Sequence, residues 1–466
     1  MKSKIILILI LLCAILLRLY NLGKAPFWED ELLTLYRINM PPAAIFRTTI
    51  PFFTHPPLFY LLLNAWVKLT GVNEFTLRFL PFAFSVLSVF MIFKLGEIIY
   101  NRRIGLYAAL LLAFSPFDIY YAQEAKNYSM SWALGLISFW LFYRLIKNFS
   151  STNFIAYILV TLVSWYTSYT AIIYSFLQGI CVFIFFKPRH IAKWFGAYLY
   201  IIILYLPWFN LIWKQPRSWH AIKWIPATSN YFLKSAQFIG ELLYLFPLNA
   251  ANERILPVSL SFCAILVALA LVEFRKNNRF KFVLAPEKKD IMLLVWIISP
   301  LAAYYLIDKF WFNIFGMQRY FALVLIPLLI LLSKGINRFR FGFQLLIILF
   351  IVSYAFTGSV YPYYLSGKKI CDERWGNALN TIKRIDRLQS AVVIPISPEP
   401  LDYYKSNLRF IGIDDDKTCV YKNRDFKSIF VISRTVRNIS VVLPKYILHN
   451  EWQEGSLNVK WYKIKK

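Results

Sequence analysis

Residues 27–36 read FWEDELLTLY and come after the first apolar segment of the chain, residues 5–17. The stretch contains three consecutive carboxylates, Glu29, Asp30 and Glu31. If the apolar segment spans a membrane, these carboxylates lie where hydrocarbon gives way to headgroups and water. Acidic side chains at that depth cost free energy, so they indicate a functional site. A solvated acidic loop that stops a helix is the alternative interpretation.

The composition indicates that most of the chain lies in a membrane. Of the 466 residues, 59% are hydrophobic and 19% aromatic, and the mean hydropathy is +0.52. Soluble domains contain only ~45–50% apolar residues. The net charge of +28 is spread over short clusters between apolar runs, as in cytoplasmic loops, and not along one basic stripe. We therefore predict a polytopic α-helical membrane protein with no nucleic-acid partner.

Apolar runs alternate with basic clusters over residues 1–360. We predict about eleven transmembrane helices, with the N-terminus in the cytoplasm and every inner loop basic. The first outer loop, residues 23–76, carries the acidic motif and two short helices, at 41–49 and 58–69. The second of these is too short to span a bilayer. The apolar stretch 154–186 exceeds one span, so we divide it near Ser168-Tyr169.

The composition changes after residue 361, where polar and charged residues become common and no run could span a membrane. Two stretches in this tail predict helices and three predict strands: 378–388 and 399–405, then 391–396, 408–413 and 428–433. This alternation indicates a small α/β domain, which an odd number of spans places outside the cell membrane. The predicted division is a transmembrane domain, 1–360, and an extracytoplasmic α/β domain, 361–466.

Four further motifs fall on the predicted outer side of the membrane. They are HPPL at 55–58, TLRFLP at 76–81, YAQEAKNY at 121–128, and QRY at 318–320, which is followed by Pro327. Each motif alone is weak evidence. Their order and their shared side of the membrane make the set specific.

Together with the acidic triplet, this set resembles the GT-C glycosyltransferases that use polyprenyl-phosphate sugars. The protein O-mannosyltransferases and the lipid A aminoarabinose transferase belong to this superfamily. Its members carry an acidic pair in the first outer loop, a Pro-Pro-Leu step, a Gln-Glu-Ala-Arg-x-Tyr stretch and a late Arg-Tyr pair. The resemblance covers roughly residues 1–327 and implies a GT-C fold.

Two positions depart from the family pattern. Lys126 stands where the family usually has arginine, which keeps the charge but loses the bidentate fork that holds a phosphate. Ser168 precedes Tyr169 where many relatives have histidine before an aromatic residue. A histidine-dependent contact at that turn is therefore not expected here.

The resemblance assigns the catalytic base to Asp30. A lipid phosphate is already a good leaving group, so the transfer needs a base for the acceptor hydroxyl and no general acid. One carboxylate then gives inversion, unlike the paired carboxylates of glycosidases. Glu31 would point about 100° away from Asp30 on a helix, so we expect it to orient the loop or bind acceptor. Glu29 is the less favoured alternative base.

Cations would stabilise the charge that develops on the departing phosphate. His55, Lys126 and Arg319 are the candidates, although His55 before two prolines has an alternative as a hydrogen-bonded loop residue. Arg78 is a further cation of the set, and snorkelling to the interface is its favoured explanation.

Four polar or aromatic residues of the same motifs are assigned to substrate binding. Gln123 and Glu124 would bind sugar hydroxyls or hold the first loop. Tyr128 would stack on sugar or lipid, unless it is an interfacial aromatic. Tyr320 accompanies Arg319 in the late motif.

The resulting prediction is an inverting glycosyltransferase of the cytoplasmic membrane. It would move a sugar from a polyprenyl-phosphate donor to a cell-envelope acceptor, which is a protein hydroxyl, a lipid or a glycan, on the outer face. Membrane lipids surround it, and the apolar spans would hold the prenyl tail. No metal cage is readable and no cofactor is predicted, although a nonessential divalent cation stays open.

Two rival functions belong to other classes. A transporter or flippase of lipid-linked sugars would place ionisable groups near the midplane, often in repeated halves. Here the carboxylates gather at one predicted face, and no halves are visible. A non-catalytic assembly or receptor protein would tolerate the loss of the Asp30 carboxylate.

Reporter fusions test the predicted topology. A reporter that is active only in the cytoplasm should be active when fused after Lys193, which ends a basic inner loop, and inactive when fused at Lys466. A second reporter, active only outside the membrane, serves as the control. If both fusion points were on the same side of the membrane, the predicted odd number of spans would be wrong.

Overall fold

Helices form most of the chain in this computed structural model. The structure describes residues 2–49, 55–185, 187–213, 230–231, 234–235, 256–277, 279–284, 286–310 and 318–360. Of the tail, it describes 375–385, 390–394, 409–412, 418–420, 428–434, 440–442, 446–454 and 457–464. The predicted helix at 399–405 lies outside these residues.

The helices differ in length, and prolines, glycines and polar turns separate them. Those up to residue 213 are α1 (Lys2–Leu19), α2 (Glu29–Ile38), α3 (Pro42–Thr49), α4 (Leu58–Thr70), α5 (Glu74–Ile99), α6 (Arg102–Ala113), α7 (Pro116–Ala122), α8 (Tyr128–Lys147), α9 (Ser151–Trp165), α10 (Thr170–Phe185) and α11 (Pro188–Trp213). The later ones are α12 (Leu256–Leu271), α13 (Lys288–Phe310), α14 (Ala322–Ile336), α15 (Phe341–Ala355) and α16 (Trp375–Ile385). A 3-10 turn, Gln318–Phe321, precedes α14, and a π-helical turn, Phe356–Val360, follows α15.

Several of these helices are membrane-spanning by length and composition. Among the described residues, α5, α8, α11 and α13 qualify, and α6 with α7 would make a fifth span that is bent by 60°. Six shorter apolar helices accompany them. The chain is therefore a multi-pass membrane protein, and the count of about eleven spans stays a prediction. The break between α9 and α10 falls at the predicted division near Ser168-Tyr169.

Strands occur in two parts of the chain. An antiparallel hairpin, β1 (Val272–Asn277) and β2 (Arg279–Leu284), follows α12 in a basic stretch for which no strand was predicted. The tail contains β3 (Ser390–Ile394), β4 (Arg409–Gly412), β5 (Thr418–Val420), β6 (Ser428–Arg434), β7 (Ser440–Val442), β8 (Tyr446–Glu454) and β9 (Leu457–Ile464). Five of them form a mixed sheet in the order β4-β3-β6-β9-β8, and β5 pairs with β7. The strands β3 and β6 pair in parallel, whereas β9 runs antiparallel to both of its neighbours.

The chain divides into two units by its internal contacts. The first unit comprises Met1–Leu22, Pro41–Gly71 and Thr76–Leu365. The second comprises Gly23–Met40, Val72–Phe75 and Ser366–Lys466, so α2 groups with the tail. The predicted boundary at residues 360/361 is not tested by this division and stays a prediction.

The hydrophobic core of the first unit lies between its long helices. Phe139 of α8 stacks on Trp296 of α13 with ring centroids 3.6 Å apart, and the Trp296 side chain is buried. Small residues let helices approach closely elsewhere. A Cβ on Gly335 of α14 would lie 2.0 Å from the Leu266 carbonyl oxygen of α12, so only glycine permits this contact.

The bend between α6 and α7 interrupts the helical hydrogen-bond ladder. Pro116 opens α7 and has no N–H to donate, so the ladder of α6 cannot continue. The guanidinium of Arg18, on α1, supplies donors at this break: it donates to the Ala113 carbonyl at 2.9 Å and to the Leu112 carbonyl at 3.0 Å, which also accepts the Ser115 N–H at 3.1 Å. Arg18 thereby ends α6 inside an apolar region where no water is available to do so.

A carboxylate neutralises this buried cation. Asp118 Oδ2 lies 2.7 Å from Arg18 Nη2 and accepts a second hydrogen bond from Nε at 3.2 Å. Ser85 of α5 joins the pair, because its hydroxyl contacts Asp118 and accepts from Arg18 Nε at 2.6 Å. Asp118 lies in the first turn of α7, where the helix dipole favours a negative charge. The network links α1, α5, α6 and α7 and fixes the bent span.

A second buried ion pair links the opposite ends of α13 and α14. Lys334 Nζ lies 2.7 Å from both carboxylate oxygens of Asp290 and 3.0 Å from Glu287 Oε1. The hydrogen bond from Lys334 holds the pKa of Glu287 below its ordinary value, although partial burial acts in the other direction. Tyr100, which follows α5, donates its hydroxyl to Asp290, so the cluster fixes three helix ends.

The Arg18 network gives a prediction about stability. The substitution Arg18→Met should lower the free energy of unfolding by about 3–5 kcal/mol, because it leaves the Asp118 carboxylate buried without a cation. Chemical unfolding of the purified protein in detergent would measure the change. The matched control is Lys94→Met, which breaks a partly exposed pair with Glu97 and should cost less than about 1 kcal/mol. Equal effects of the two substitutions would contradict the role given to Arg18.

Candidate active site

The acidic triplet opens a helix in the second unit. Trp28 has an extended backbone, with φ −95° and ψ 170°, and α2 begins at Glu29. Asp30 and Glu31 therefore lie in the first turn of α2, where the helix dipole favours carboxylates. Their fixed place on a helix separates the directions of the two side chains, as the sequence predicted.

Glu31 has a structural contact of its own. Its Oε2 accepts the backbone N–H of Trp28 at 3.4 Å, and the side chain is fully buried. This contact caps the start of the helix in the manner of a capping box. The expected role of Glu31, to orient the loop or bind acceptor, stays a prediction. Asp30 is only partly buried, and its backbone carbonyl accepts the hydroxyl of Thr34 at 3.1 Å.

Three predicted binding residues meet at one point of the first unit. The His55 ring lies edge-on to Tyr128, with centroids 5.9 Å apart and an interplanar angle of 86°. The guanidinium carbon of Arg319 lies 5.5 Å from the centroid of the same Tyr128 ring. The side chains come from chain positions far apart, so only folding brings them together. The Tyr128 ring attracts cations through its negative face.

Tyr320 lies at the edge of this group. The Arg319 guanidinium is 5.9 Å from the Tyr320 ring, which in turn lies 6.3 Å from the ring of Tyr304. Arg319 thus lies near two aromatic rings, in the 3-10 turn that precedes α14. A planar guanidinium in such a position presents its N–H groups at its edge, where they suit a phosphate.

The loop between α7 and α8 places the remaining predicted residues. The Gln123 amide donates to the backbone carbonyls of Arg18 at 3.0 Å and Tyr20 at 2.9 Å, and so holds the end of α1. Of its two predicted roles, this contact favours holding the first loop over binding sugar hydroxyls. Glu124 and Lys126 are buried, and the Lys126 backbone N–H donates to the Glu124 carbonyl at 2.7 Å.

The turn between α9 and α10 joins two of the motifs. The backbone N–H of Leu58, which ends the HPPL motif, donates to the Tyr166 carbonyl at 3.1 Å. The Asn127 side chain donates to the Thr167 carbonyl at 2.7 Å. The turn therefore fixes the first residue of α4 and the start of α8, and with them His55 and Tyr128.

One sequence interpretation requires correction. Arg78 is fully buried and donates to the Leu22 carbonyl at 3.2 Å, so it is not a snorkelling interfacial cation. It lies in the interior near the end of α1, and the structure places it in a backbone contact. A cation in an otherwise apolar helix is the sequence pattern that could have predicted this buried position.

The sequence interpretation also missed Arg18 and Asp118. The two residues carry opposite charges and each lies inside an apolar run. That pattern could have predicted that they form an ion pair. Neither residue is assigned to substrate here, because each is used in the network that bends the span. Within the described ranges, no group of three His, Cys, Asp or Glu side chains lies close enough to hold a metal ion.

Comparison with known proteins gives one partial family match and several structural likenesses. Residues 54–213 match the family model described as dolichyl-phosphate-mannose-protein mannosyltransferase. The structure is similar to ArnT from Cupriavidus metallidurans in its apo state, with a TM-score of 0.63 and 10% identity over 99% of this chain and 98% of that one. ArnT bound to undecaprenyl phosphate gives a TM-score of 0.62 and 11% identity over 97% of each chain.

A further structural likeness is to an oligosaccharyltransferase. The Archaeoglobus fulgidus oligosaccharyltransferase, in complex with Zn and sulfate, gives a TM-score of 0.53 and 12% identity over 91% of this chain and 67% of that one. Comparison by sequence with curated proteins finds no match. These findings confirm the resemblance that the ordered motifs indicated: the chain has the GT-C glycosyltransferase fold, and its residues 54–213 match the mannosyltransferase model.

Proposed function

We propose that this protein is an inverting glycosyltransferase that moves a sugar from a polyprenyl-phosphate carrier to a cell-envelope acceptor. The observation that carries the proposal is the convergence of His55 and Arg319 on the ring of Tyr128. Two side chains that can carry positive charge, next to an aromatic surface in a membrane protein, suit a lipid phosphate. The fold supports the same conclusion by analogy, since ArnT has been solved with undecaprenyl phosphate bound.

The proposed base is Asp30. The acceptor hydroxyl attacks the anomeric carbon on the face opposite the phosphate, and Asp30 accepts its proton as the new bond forms. The bond between the anomeric carbon and the phosphate oxygen breaks, and both electrons leave with the phosphate. The configuration of the sugar is inverted in this single displacement.

His55, Lys126 and Arg319 are the proposed phosphate-binding groups. Charge on the phosphate increases as the bond breaks, so cations placed beforehand lower the barrier. Arg319 can hold two phosphate oxygens at once, whereas Lys126 acts as a point charge. Burial of Lys126 supports this role, because its charge is screened less than that of a surface lysine.

The other predicted residues have supporting roles in this proposal. Glu31 fixes the first turn of α2 and so the position of Asp30. Gln123 holds the end of α1, while Glu124 is available to sugar hydroxyls. Tyr128 and Tyr320 flank Arg319 and orient its guanidinium.

We place the reaction on the outer face of the cytoplasmic membrane, with about eleven spans and the C-terminal α/β domain on the same side. The apolar spans hold the prenyl tail, and the tail domain, residues 361–466, selects the acceptor. The basic loops of the sequence support this orientation. Mass spectrometry of envelope glycans, in cells with and without the protein, would identify the sugar and acceptor.

Replacement of Asp30 tests the reaction. Asp30→Asn should lower the transfer rate about 10²–10⁴-fold, because the amide cannot accept the acceptor proton. The rate would be measured in membranes that contain the native glycosylated carrier. Glu29→Gln is the matched control and should retain near-normal transfer. Near-normal transfer by Asp30→Asn would contradict the enzyme interpretation. The flippase and the assembly protein would then be the remaining functions.

Replacement of Arg319 tests the phosphate site. Arg319→Gln should lower transfer about 10²-fold or more, since the charge that stabilises the departing phosphate is lost. The affinity for undecaprenyl phosphate, measured with the purified protein, should fall as well. Arg340→Gln removes an exposed arginine at the start of α15 and should change neither quantity. Unchanged phosphate affinity in Arg319→Gln would exclude Arg319 from the site.

A further inference from the structure

Four aromatic side chains with polar tips lie beside the turn between α9 and α10. Tyr169 belongs to the turn itself, Tyr60 lies on α4, and Tyr205 and Trp208 lie one turn apart on α11. We call these four residues the aromatic cluster. None of them belongs to the motifs that predicted the active site.

Ring packing fixes the cluster. The Tyr205 ring lies edge-on to the rings of Trp165 and Tyr166, with centroids 5.1 Å apart in both pairs. The Trp208 ring lies edge-on to Phe46 at 5.1 Å and is tilted against Tyr166 at 6.4 Å. Such edge-to-face contacts define the direction in which each polar tip points.

Three of the four polar tips have no hydrogen-bond partner among the residues that the structure describes. Tyr169 Oη, Tyr205 Oη and Trp208 Nε1 are all buried from solvent, and none of them makes a hydrogen bond to a residue that the structure describes. Trp208 is 1% exposed and Tyr205 is 5% exposed. Buried polar atoms are almost always paired, so three orphans in one cluster require an explanation. The neighbouring Tyr166 hydroxyl, by contrast, donates to the Leu204 carbonyl at 3.1 Å.

Tyr169 brings the other polar tips together. Burial raises the pKa of its hydroxyl above the ordinary value, the Trp208 N–H acts in the opposite direction, and the Tyr60 phenol raises it further. Both groups therefore lie near the Tyr169 hydroxyl, although the Trp208 N–H is not placed for a hydrogen bond. The Tyr169 side chain is half-buried, although its hydroxyl is buried from solvent.

The cluster adjoins the segments that carry the proposed phosphate site. The same turn accepts hydrogen bonds from the Leu58 backbone and the Asn127 side chain, at Tyr166 and Thr167. His55 lies three residues before Leu58, and Tyr128 directly follows Asn127. A group attached to a phosphate held by His55 and Arg319 would thus have the turn of Tyr169 beside it.

We propose that the aromatic cluster binds the glycosyl group of the lipid-linked donor, and this inference rests on the proposed function. Ring faces suit the apolar C–H surfaces of a sugar, and tyrosine and indole tips suit its hydroxyls. The two phenols can donate or accept a hydrogen bond, and the Trp208 indole can only donate. A prenyl tail would leave the three tips unpaired, and the cluster has no cation for the phosphate.

Isosteric substitutions test the inference, because they remove a polar tip and keep the ring. Tyr169→Phe and Tyr205→Phe would be compared in transfer assays, with the carrier-lipid fraction extracted from the organism's own membranes as donor. Each should raise the donor KM about 5–10-fold, the effect of one lost hydrogen bond. Inhibition by undecaprenyl phosphate, which has no sugar, should be unchanged. Thermal stability should be unchanged or higher.

The matched control is Tyr166→Phe, whose hydroxyl already has a backbone partner and should leave the donor KM unchanged. An unchanged donor KM in both cluster variants, whatever their stability, overturns the sugar site. A rise in the acceptor KM alone would reassign the cluster to the acceptor and overturn the proposal as stated. If the unmodified protein transfers no sugar and does not bind undecaprenyl phosphate, the proposed function itself fails.

Discussion

Backbone groups inside an apolar region must find partners within the protein, and the structure depends on this constraint. It applies where α6 breaks at Pro116, because the helical ladder of α6 is interrupted there. The guanidinium of Arg18 bonds Leu112 and Ala113, and Asp118 balances its charge at 2.7 Å. A neutral side chain could satisfy one carbonyl, whereas the fork of an arginine satisfies two and still reaches the carboxylate.

The bend between α6 and α7 positions part of the candidate site. The helix α7 ends at the loop that carries Glu124 and Lys126, and Gln123 ties that loop back to the end of α1. The turn after α9 then bonds to both Leu58 and Asn127, which places His55 and Tyr128 near each other. Hydrogen bonds that satisfy broken helix ends thus also set the geometry of the proposed phosphate site.

Buried charge is used in two different ways in this protein. Arg18 and Lys334 each have a carboxylate at 2.7 Å, in closed pairs that join helix ends and offer little to a ligand. Arg319 lies beside the rings of Tyr128 and Tyr320, with its guanidinium carbon 5.5 Å and 5.9 Å from their centroids. We assign the phosphate to Arg319 because the aromatic rings and His55 gather there, and the two closed pairs to the fold.

The sequence alone determined the class of protein, the place of α3 and α4, the break near Ser168-Tyr169 and the family resemblance, because apolar length, prolines and ordered motifs are local properties of a chain. The resemblance also named the candidate residues, but not their arrangement. Only the tertiary structure decided that Arg18 pairs with Asp118, that Arg78 is buried, and that the polar tips of the aromatic cluster lie together. These contacts join residues that are far apart in the chain, such as Arg18 and Asp118. A local sequence pattern does not show which distant side chains come within hydrogen-bond distance when the chain folds.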